Sequence, residues 1–226
     1  MKKQILAMAL MLLTGMSCSK KASQPAAELT AAHQVIRINC LVEVTPETRD
    51  SVVALTRELV EASRQDSGNI DYDLYESATH PNSLIIFETW PDQASLDKHS
   101  AAPHFTRLVP QIQAASDMTI QVFTGEGEKD EALRLNCMVN VPAENRDNAI
   151  ALYKELVEAS QSDEGMIHYD LYLSMTDSTK MMVFETWENQ AALDKHSAAP
   201  HFTRLVPQLG EIVQSTLQKF NMPKAE

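Results

Sequence analysis

Laid upon itself with an offset of 97 residues, the chain matches itself without a gap. Asn39 and Cys40 fall on Asn136 and Cys137, Gly68 on Gly165, and the run Tyr72, Asp73, Leu74, Tyr75 on Tyr169, Asp170, Leu171, Tyr172. Phe87, Glu88, Thr89, Trp90 fall on Phe184, Glu185, Thr186, Trp187, and residues 96–111 are identical to 193–208. Such a match fixes the architecture before any element is assigned. Two copies are too few for a solenoid, which needs about three repeats to bury its faces. Each copy, about ninety residues, is instead long enough to fold as a domain. The sequence divides as a domain at 33–124, a glycine- and charge-rich linker at 125–130 and a second domain at 131–222.

Within the first copy, residues 34–44 alternate apolar and polar side chains in a β-branched context, which predicts a strand. Pro46 opens a helix whose Val52, Leu55, Leu59 and Ala62 share a face, and Gly68 ends the segment. Strands are predicted over 70–77 and 83–90, joined by a turn through His80, Pro81 and Asn82, then helices over 92–100 and 103–114 and a last strand over 118–123. The order β-α-β-β-α-β predicts an α+β class: two tandem ferredoxin-like domains, each an antiparallel sheet covered by helices on one side. The uncovered apolar face requires a partner, and the tethered second copy supplies one. The two copies are therefore expected to pack sheet to sheet as an intrachain pseudo-dimer around a barrel-like core.

Composition excludes some roles and suggests a location. The formal net charge is −12, and no basic stripe offsets it, so nucleic acid is not an expected partner. Lys2 and Lys3 precede a short apolar run and then Gly15, Met16, Ser17 and Cys18, the pattern of an export signal over 1–18. Small residues before a cysteine resemble a bacterial lipoprotein cleavage site, with Cys18 as the lipid acceptor; an ordinary cleaved signal is the alternative. Residues 19–32 then read as a flexible tether, and the membrane is met through the lipid anchor alone, in the bacterial cell envelope on the periplasmic or outer side. Cys40 and Cys137 remain, on equivalent strands, as two buried thiols or as a disulfide that export would permit.

Gly68, Tyr72 and Tyr75, the run Phe87 to Trp90, and Leu96, His99, Pro103, His104 and Phe105 resemble the antibiotic biosynthesis monooxygenase domain family, whose small ferredoxin-like members form dimeric α/β barrels. The pattern looks most like the quinol-type monooxygenases of that family and recurs in the second copy. The resemblance implies cofactor-independent oxygenation of a small hydroquinone or phenol, which loses a proton and then reacts with O2. That chemistry needs a base of suitable pKa, donors for the developing oxyanion and a dry pocket.

His99 and His196 are the first candidates for base or proton relay, because histidine titrates near neutrality unaided. His104 and His201 are the second pair; a partly exposed helix surface is the alternative for all four. Asn39 and Asn136 stand mid-strand, where asparagine is disfavoured, and either orient a substrate hydroxyl or bond to neighbouring backbone. Trp90, Trp187, Tyr72 and Tyr169 read as core or as substrate-binding walls. Glu88 and Glu185 lie between aromatic neighbours, where partial burial would raise a carboxyl pKa; a bridge to cations such as Arg107 and Arg204 is the preferred reading.

No metal site is expected, since neither Asp97 with His99 nor His99 with His104 has the i, i+4 spacing of paired helical ligands. No Gly-rich phosphate loop, nucleophile elbow or CxxC pair is present. No cofactor is expected, with haem on a histidine as the minor alternative. The competing roles are a non-catalytic module that binds a small hydrophobic or haem-like ligand and a structural or interaction module of an envelope complex with no pocket function.

Overall fold

The computed structural model describes residues 35–124 and 132–222. The export signal, Cys18, the tether and the linker lie outside these residues. Among the described residues no helix is long and apolar enough to cross a membrane.

The first copy runs β1 (Ile36–Glu43), α1 (Pro46–Ser63), β2 (Asp71–Ser77), β3 (Ser83–Trp90), α2 (Gln93–Ser100), α3 (Pro103–Ala114) and β4 (Asp117–Phe123). The second runs β5 (Leu133–Asn140), a short 3-10 turn, α4 (Arg146–Ser160), β6 (Met166–Ser174), β7 (Lys180–Trp187), α5 (Gln190–Ser197), α6 (Pro200–Ile212) and β8 (Gln214–Asn221). Local chemistry sets the helix starts. Thr45 and Thr48 close a capping box on α1, and Pro46, Pro103 and Pro200 occupy first turns, where a missing N–H costs nothing.

In each sheet alternate residues point to opposite sides. On β1 and β3, Ile36, Ile38, Cys40, Val42, Leu84, Ile86 and Trp90 face the helices and pack with Val52, Leu59, Leu108 and Ile112. The second copy builds the same layer from Leu133, Leu135, Val139, Leu171, Val183, Trp187, Leu205 and Leu209. The opposite faces meet each other: Tyr75, Ile85 and Phe87 pack with Tyr172, Met182 and Phe184 in a third, shared core. Burying six such side chains contributes roughly 1.5–3 kcal/mol each, enough to hold the halves together.

The halves are joined by more than facing surfaces. β2 pairs antiparallel with β6, placing Glu76 opposite its own repeat equivalent Leu173, so a pseudo-two-fold axis passes through that pair. All eight strands form one sheet in the order β4-β1-β3-β2-β6-β7-β5-β8. The sheet curls until its ends approach, with Phe123 stacked on Phe220 at 4.6 Å between ring centroids. Cys40 and Cys137 are both free thiols on helix-facing positions of their own halves, on opposite sides of the interior, so no disulfide forms.

Candidate functional site

Each repeat gathers a cluster between its sheet and its helices. β3 ends in Glu88 and Trp90, two positions apart and therefore on one face. Glu88 is opposite Tyr72 of β2, which points the same way. α2 then turns back over this face and delivers His99 from its last turn, 1% exposed. Pro103 starts α3, whose first turn carries His104 and Phe105. His99 stacks on Trp90 with centroids 4.6 Å apart, lies 5.5 Å from Tyr72 and takes the Phe105 ring edge-on at 4.8 Å.

Gly68 supplies a contact that spacing did not suggest. Its φ of +92° lets the chain turn sharply from α1 into β2, and a Cβ there would stand 2.5 Å from the Ser95 hydroxyl of α2. This tight turn presents Asp66 to His99, with Asp66 Oδ2 2.6 Å from His99 Nδ1 and 3.1 Å from His104 Nε2. The second repeat reproduces the arrangement: Asp163 is 2.6 Å from His196 Nδ1 and 3.1 Å from His201 Nε2, beside Gly165 at φ +78°.

A carboxylate only accepts, so Nδ1 of each buried histidine carries the proton and donates it, and Nε2 is left as a lone pair. In both repeats that Nε2 is buried without a hydrogen-bond partner. In the first it faces Glu88 Oε2 at 3.9 Å. Desolvation by burial, opposed by the Asp66 or Asp163 hydrogen bond, lowers the pKa of His99 and His196, so both rings are neutral at neutral pH. Glu88 accepts the Trp90 indole N–H at 2.8 Å and Glu185 that of Trp187 at 2.9 Å. Burial outweighs these bonds and pushes both carboxyls up to about 7.

Of the residues singled out from sequence, His99, His104, Trp90 and Tyr72 come together, as do His196, His201, Trp187 and Tyr169. The asparagines do not join them. Asn39 and Asn136 lie on the opposite, interior face and bond reciprocally to each other, amide to carbonyl, at 3.1 and 3.0 Å across the pseudo-two-fold axis. Each amide gives one N–H and accepts at one oxygen lone pair, bonding its repeat equivalent rather than neighbouring backbone, and the pair lies on the other side of the sheet from His99 and His196. The expected partners of the glutamates are corrected: Arg107 binds Glu58 and Arg204 binds Glu155, each at 2.6 Å on the surface.

A cluster of possible metal donors forms that helical spacing did not suggest, and it leaves the expectation of no bound metal as it stood. The ligand atoms of Asp66, His99 and His104, and those of Asp163, His196 and His201, lie within 4.8 Å of one another, a donor set able to take a divalent ion. Sequence spacing missed it because the carboxylate comes 33 residues before the first histidine. The signal was an aspartate two residues before the glycine in both copies. In the first repeat the free Nε2 of His99 is hemmed in by Glu88 at 3.9 Å and by the indole of Trp90, whose ring centroid is 4.6 Å away from that of the imidazole.

Comparison with known proteins agrees with this reading of the repeat. The chain is similar to the protein sll1783 of Synechocystis, 37% identical over 68 residues, which are 30% of this chain and 46% of that one. It is also similar to "Putative monooxygenase YcnE" of Bacillus subtilis, 32% identical over 75 residues, or 33% of this chain and 79% of that one. The match with sll1783 spans less than half of that relative's length. A crystal structure from Bacteroides thetaiotaomicron, described as a possible oxidoreductase, is 32% identical and covers 42% of this chain and 100% of its own, with a TM-score of 0.41. The sequence profile described as Antibiotic biosynthesis monooxygenase matches residues 35–111 and again 132–208, and the chain belongs to that family in both of its halves.

Proposed function

We propose that the chain is a cofactor-independent monooxygenase of a small hydroquinone or phenol, with one site in each repeat. The observation that carries this reading is the buried Asp66–His99 pair, whose Nε2 is neutral, unpartnered and walled by Trp90, Tyr72 and Phe105. Such a group is a base held in one tautomer. It takes the proton of a substrate hydroxyl, and the resulting anion gives electrons to O2. For a hydroquinone the balance is one O2 consumed, one oxygen atom in a hydroxyquinone and the other in water, with no outside reductant. Glu88, at about 7, carries its proton in a sizeable share of molecules at neutral pH and donates it as the O–O bond breaks. Asp66 and His104, with side chains 22% and 16% exposed, lead the proton from His99 to the surface.

The name of the Bacillus subtilis relative supports oxygenation as the reaction class. The proposal also takes residues 1–18 as an export signal with Cys18 as lipid acceptor, which sets the sites beside membrane quinols. Incorporation of a labelled fatty acid that is lost in Cys18→Ala tests that part.

One observation favours a second reading. His99 is almost wholly enclosed, as a histidine in a binding module that turns nothing over would be. Oxygen uptake by the full chain with a panel of hydroquinones, without added metal or flavin, separates the two. The monooxygenase reading expects uptake that falls about 10²–10⁴-fold in a folded His99→Ala, His196→Ala double variant. Absence of uptake with a hydroquinone still bound gives the site to the binding module.

A further inference from the structure

The interior face holds polar groups that the sites above do not use. Pairing registers place Phe220, Arg134, Thr186 and His168 in one row across β8, β5, β7 and β6, at one end of the barrel. Arg134 is 3% exposed, and its guanidinium carbon sits 3.6 Å above the Phe184 ring. Among the described residues it meets no carboxylate within salt-bridge distance, and its Nε and Nη1 are buried without an acceptor. Thr186 Oγ1 and His168 Nε2, in the same row, are also buried and unpartnered. His168 meets Phe184 edge-on at 5.5 Å, so the cation and the imidazole share one aromatic floor.

A guanidinium taken out of water without a counter-ion is costly, and an aromatic face offsets only part of that cost. The nearest carboxylate on this face, Asp170, lies one row inward. It is taken up by the Ser77 and Thr79 hydroxyls, by the Leu171 N–H at 2.8 Å and, more loosely, by His80. The equivalent row of the first repeat is not a second version of this one. There Asp71 stands where His168 stands here, in the row of Phe123, Arg37 and Thr89. The rows meet where Phe123 stacks on Phe220, with the Arg37 guanidinium carbon 5.7 Å from the Phe220 ring centroid. One row therefore presents a cation, an imidazole and a hydroxyl, and the other places a carboxylate among them.

We propose that the Arg134, Thr186 and His168 row is a binding site for the carboxylate of a small apolar acid. The guanidinium takes the charge, and Thr186 and His168 complete its hydrogen bonds. The site is separate from the Asp–His clusters, which lie on the other side of the sheet, and it stands or falls independently of the oxygenase reading.

Titration calorimetry and thermal melting of the full chain with benzoate, and in parallel with inorganic phosphate, test it. Wild type should bind benzoate and melt higher in its presence, while Arg134→Met should lose binding by at least about 30-fold. Without ligand, Arg134→Met should melt no lower than wild type, because it removes a buried charge that no carboxylate among the described residues balances. His168→Asp, which copies the first repeat, should fold and bind at least about tenfold more weakly, and it serves as the second variant if Arg134→Met does not fold. The proposal is overturned if wild type binds neither anion, if phosphate binds and benzoate does not, if either folded variant binds benzoate as wild type does, or if Arg134→Met without ligand melts well below wild type.

Discussion

The two repeats share their Asp–His clusters residue for residue, whereas the apolar layer against the helices changes at Val52, Thr56 and Ile86, which become Ala149, Tyr153 and Val183, and the face the repeats share changes at a few positions. In the helix-covered clusters, Asp66, Glu88, Trp90, His99 and His104 recur as Asp163, Glu185, Trp187, His196 and His201, and the carboxylate to imidazole distance is 2.6 Å in both. On the interior face Leu41 becomes Met138, Ile85 becomes Met182, and Asp71 becomes His168. Arg64, whose guanidinium reaches in to Asp73, becomes Gln161. A cluster closed within one repeat has the same neighbours in both copies, so one packing solution serves twice. The interior is shared, and there Asn39, Asp73, Tyr75, Phe87 and Thr89 also recur, as Asn136, Asp170, Tyr172, Phe184 and Thr186, so the exchange of Asp71 for His168 stands out against a face that is otherwise mostly alike.

The largest expected effect tests the similar region. Burial raises Glu88 and Glu185 to about 7 from the ordinary 4.5, so the folded chain keeps protons that the unfolded chain releases between those values. Their contribution to stability is complete below about pH 4.5 and is lost as the pH climbs through about 7. Each group is worth on the order of 3 kcal/mol across that window. Urea midpoints at pH 5 and pH 8 should therefore favour pH 5 in wild type. Glu88→Gln and Glu185→Gln should each remove a similar share of the difference. The double variant should favour pH 8 instead, because burial lowers His168 to about 4 and lowers His99 and His196 as well, and those rings oppose protonation in the folded chain. Unequal shares would break the equivalence of the two clusters.

The pseudo-two-fold axis is tested next. Asn39 and Asn136 satisfy each other with no exposed surface, so removing one strands the other. Asn39→Leu and Asn136→Leu should each cost about 2–3 kcal/mol, because a buried amide loses its partner. The double variant should cost well under the sum, and a double-mutant cycle by chemical denaturation measures the difference. Additive losses would mean that each amide is held by its own repeat after all.

These two tests also mark what the sequence disclosed. The repeat, the β-α-β-β-α-β order and the facing of the sheets were legible, because they rest on periodicity and on identical runs; His99, His104, Trp90 and Tyr72 stood out one by one, but their meeting did not. Asp66 was not, since it lies in a turn, and turns have no period; only its place before Gly68 in both copies hinted at it. The bond from Trp90 to Glu88 could have been read from the strand period of two, which puts both side chains on one face. The pairing of β2 with β6, the reciprocal Asn39 and Asn136 bonds and the unpaired Arg134 depend on how two complete domains meet. No pattern within one repeat encodes that meeting.

If each cluster works alone, His99→Ala and His196→Ala should each halve turnover per chain in the oxygen-uptake assay and leave KM unchanged. A single variant that abolishes all activity, while still melting as wild type does, would show that the repeats are not equivalent in function although they match in geometry.

The smallest effect concerns Arg64. Its guanidinium lies 3.0 Å from the fully buried Asp73 and also donates to the Tyr72 carbonyl at 2.8 Å and to Thr176 at 2.9 Å. In the second repeat Gln161 replaces it, donating to the Tyr169 carbonyl at 2.9 Å, and Asp170 keeps its own hydroxyl donors without any arginine. The second repeat is thus a natural version of the Arg64→Gln variant. Since the Arg64 side chain is 35% exposed, water screens its attraction to Asp73, and the Ser174 and Thr176 hydroxyls continue to satisfy the carboxylate. Arg64→Gln should therefore cost less than about 1 kcal/mol in a urea titration at pH 7. A loss of several kcal/mol would show that Asp73 and Asp170 are held in different ways, with the hydroxyls sufficient in one repeat and the ion pair indispensable in the other.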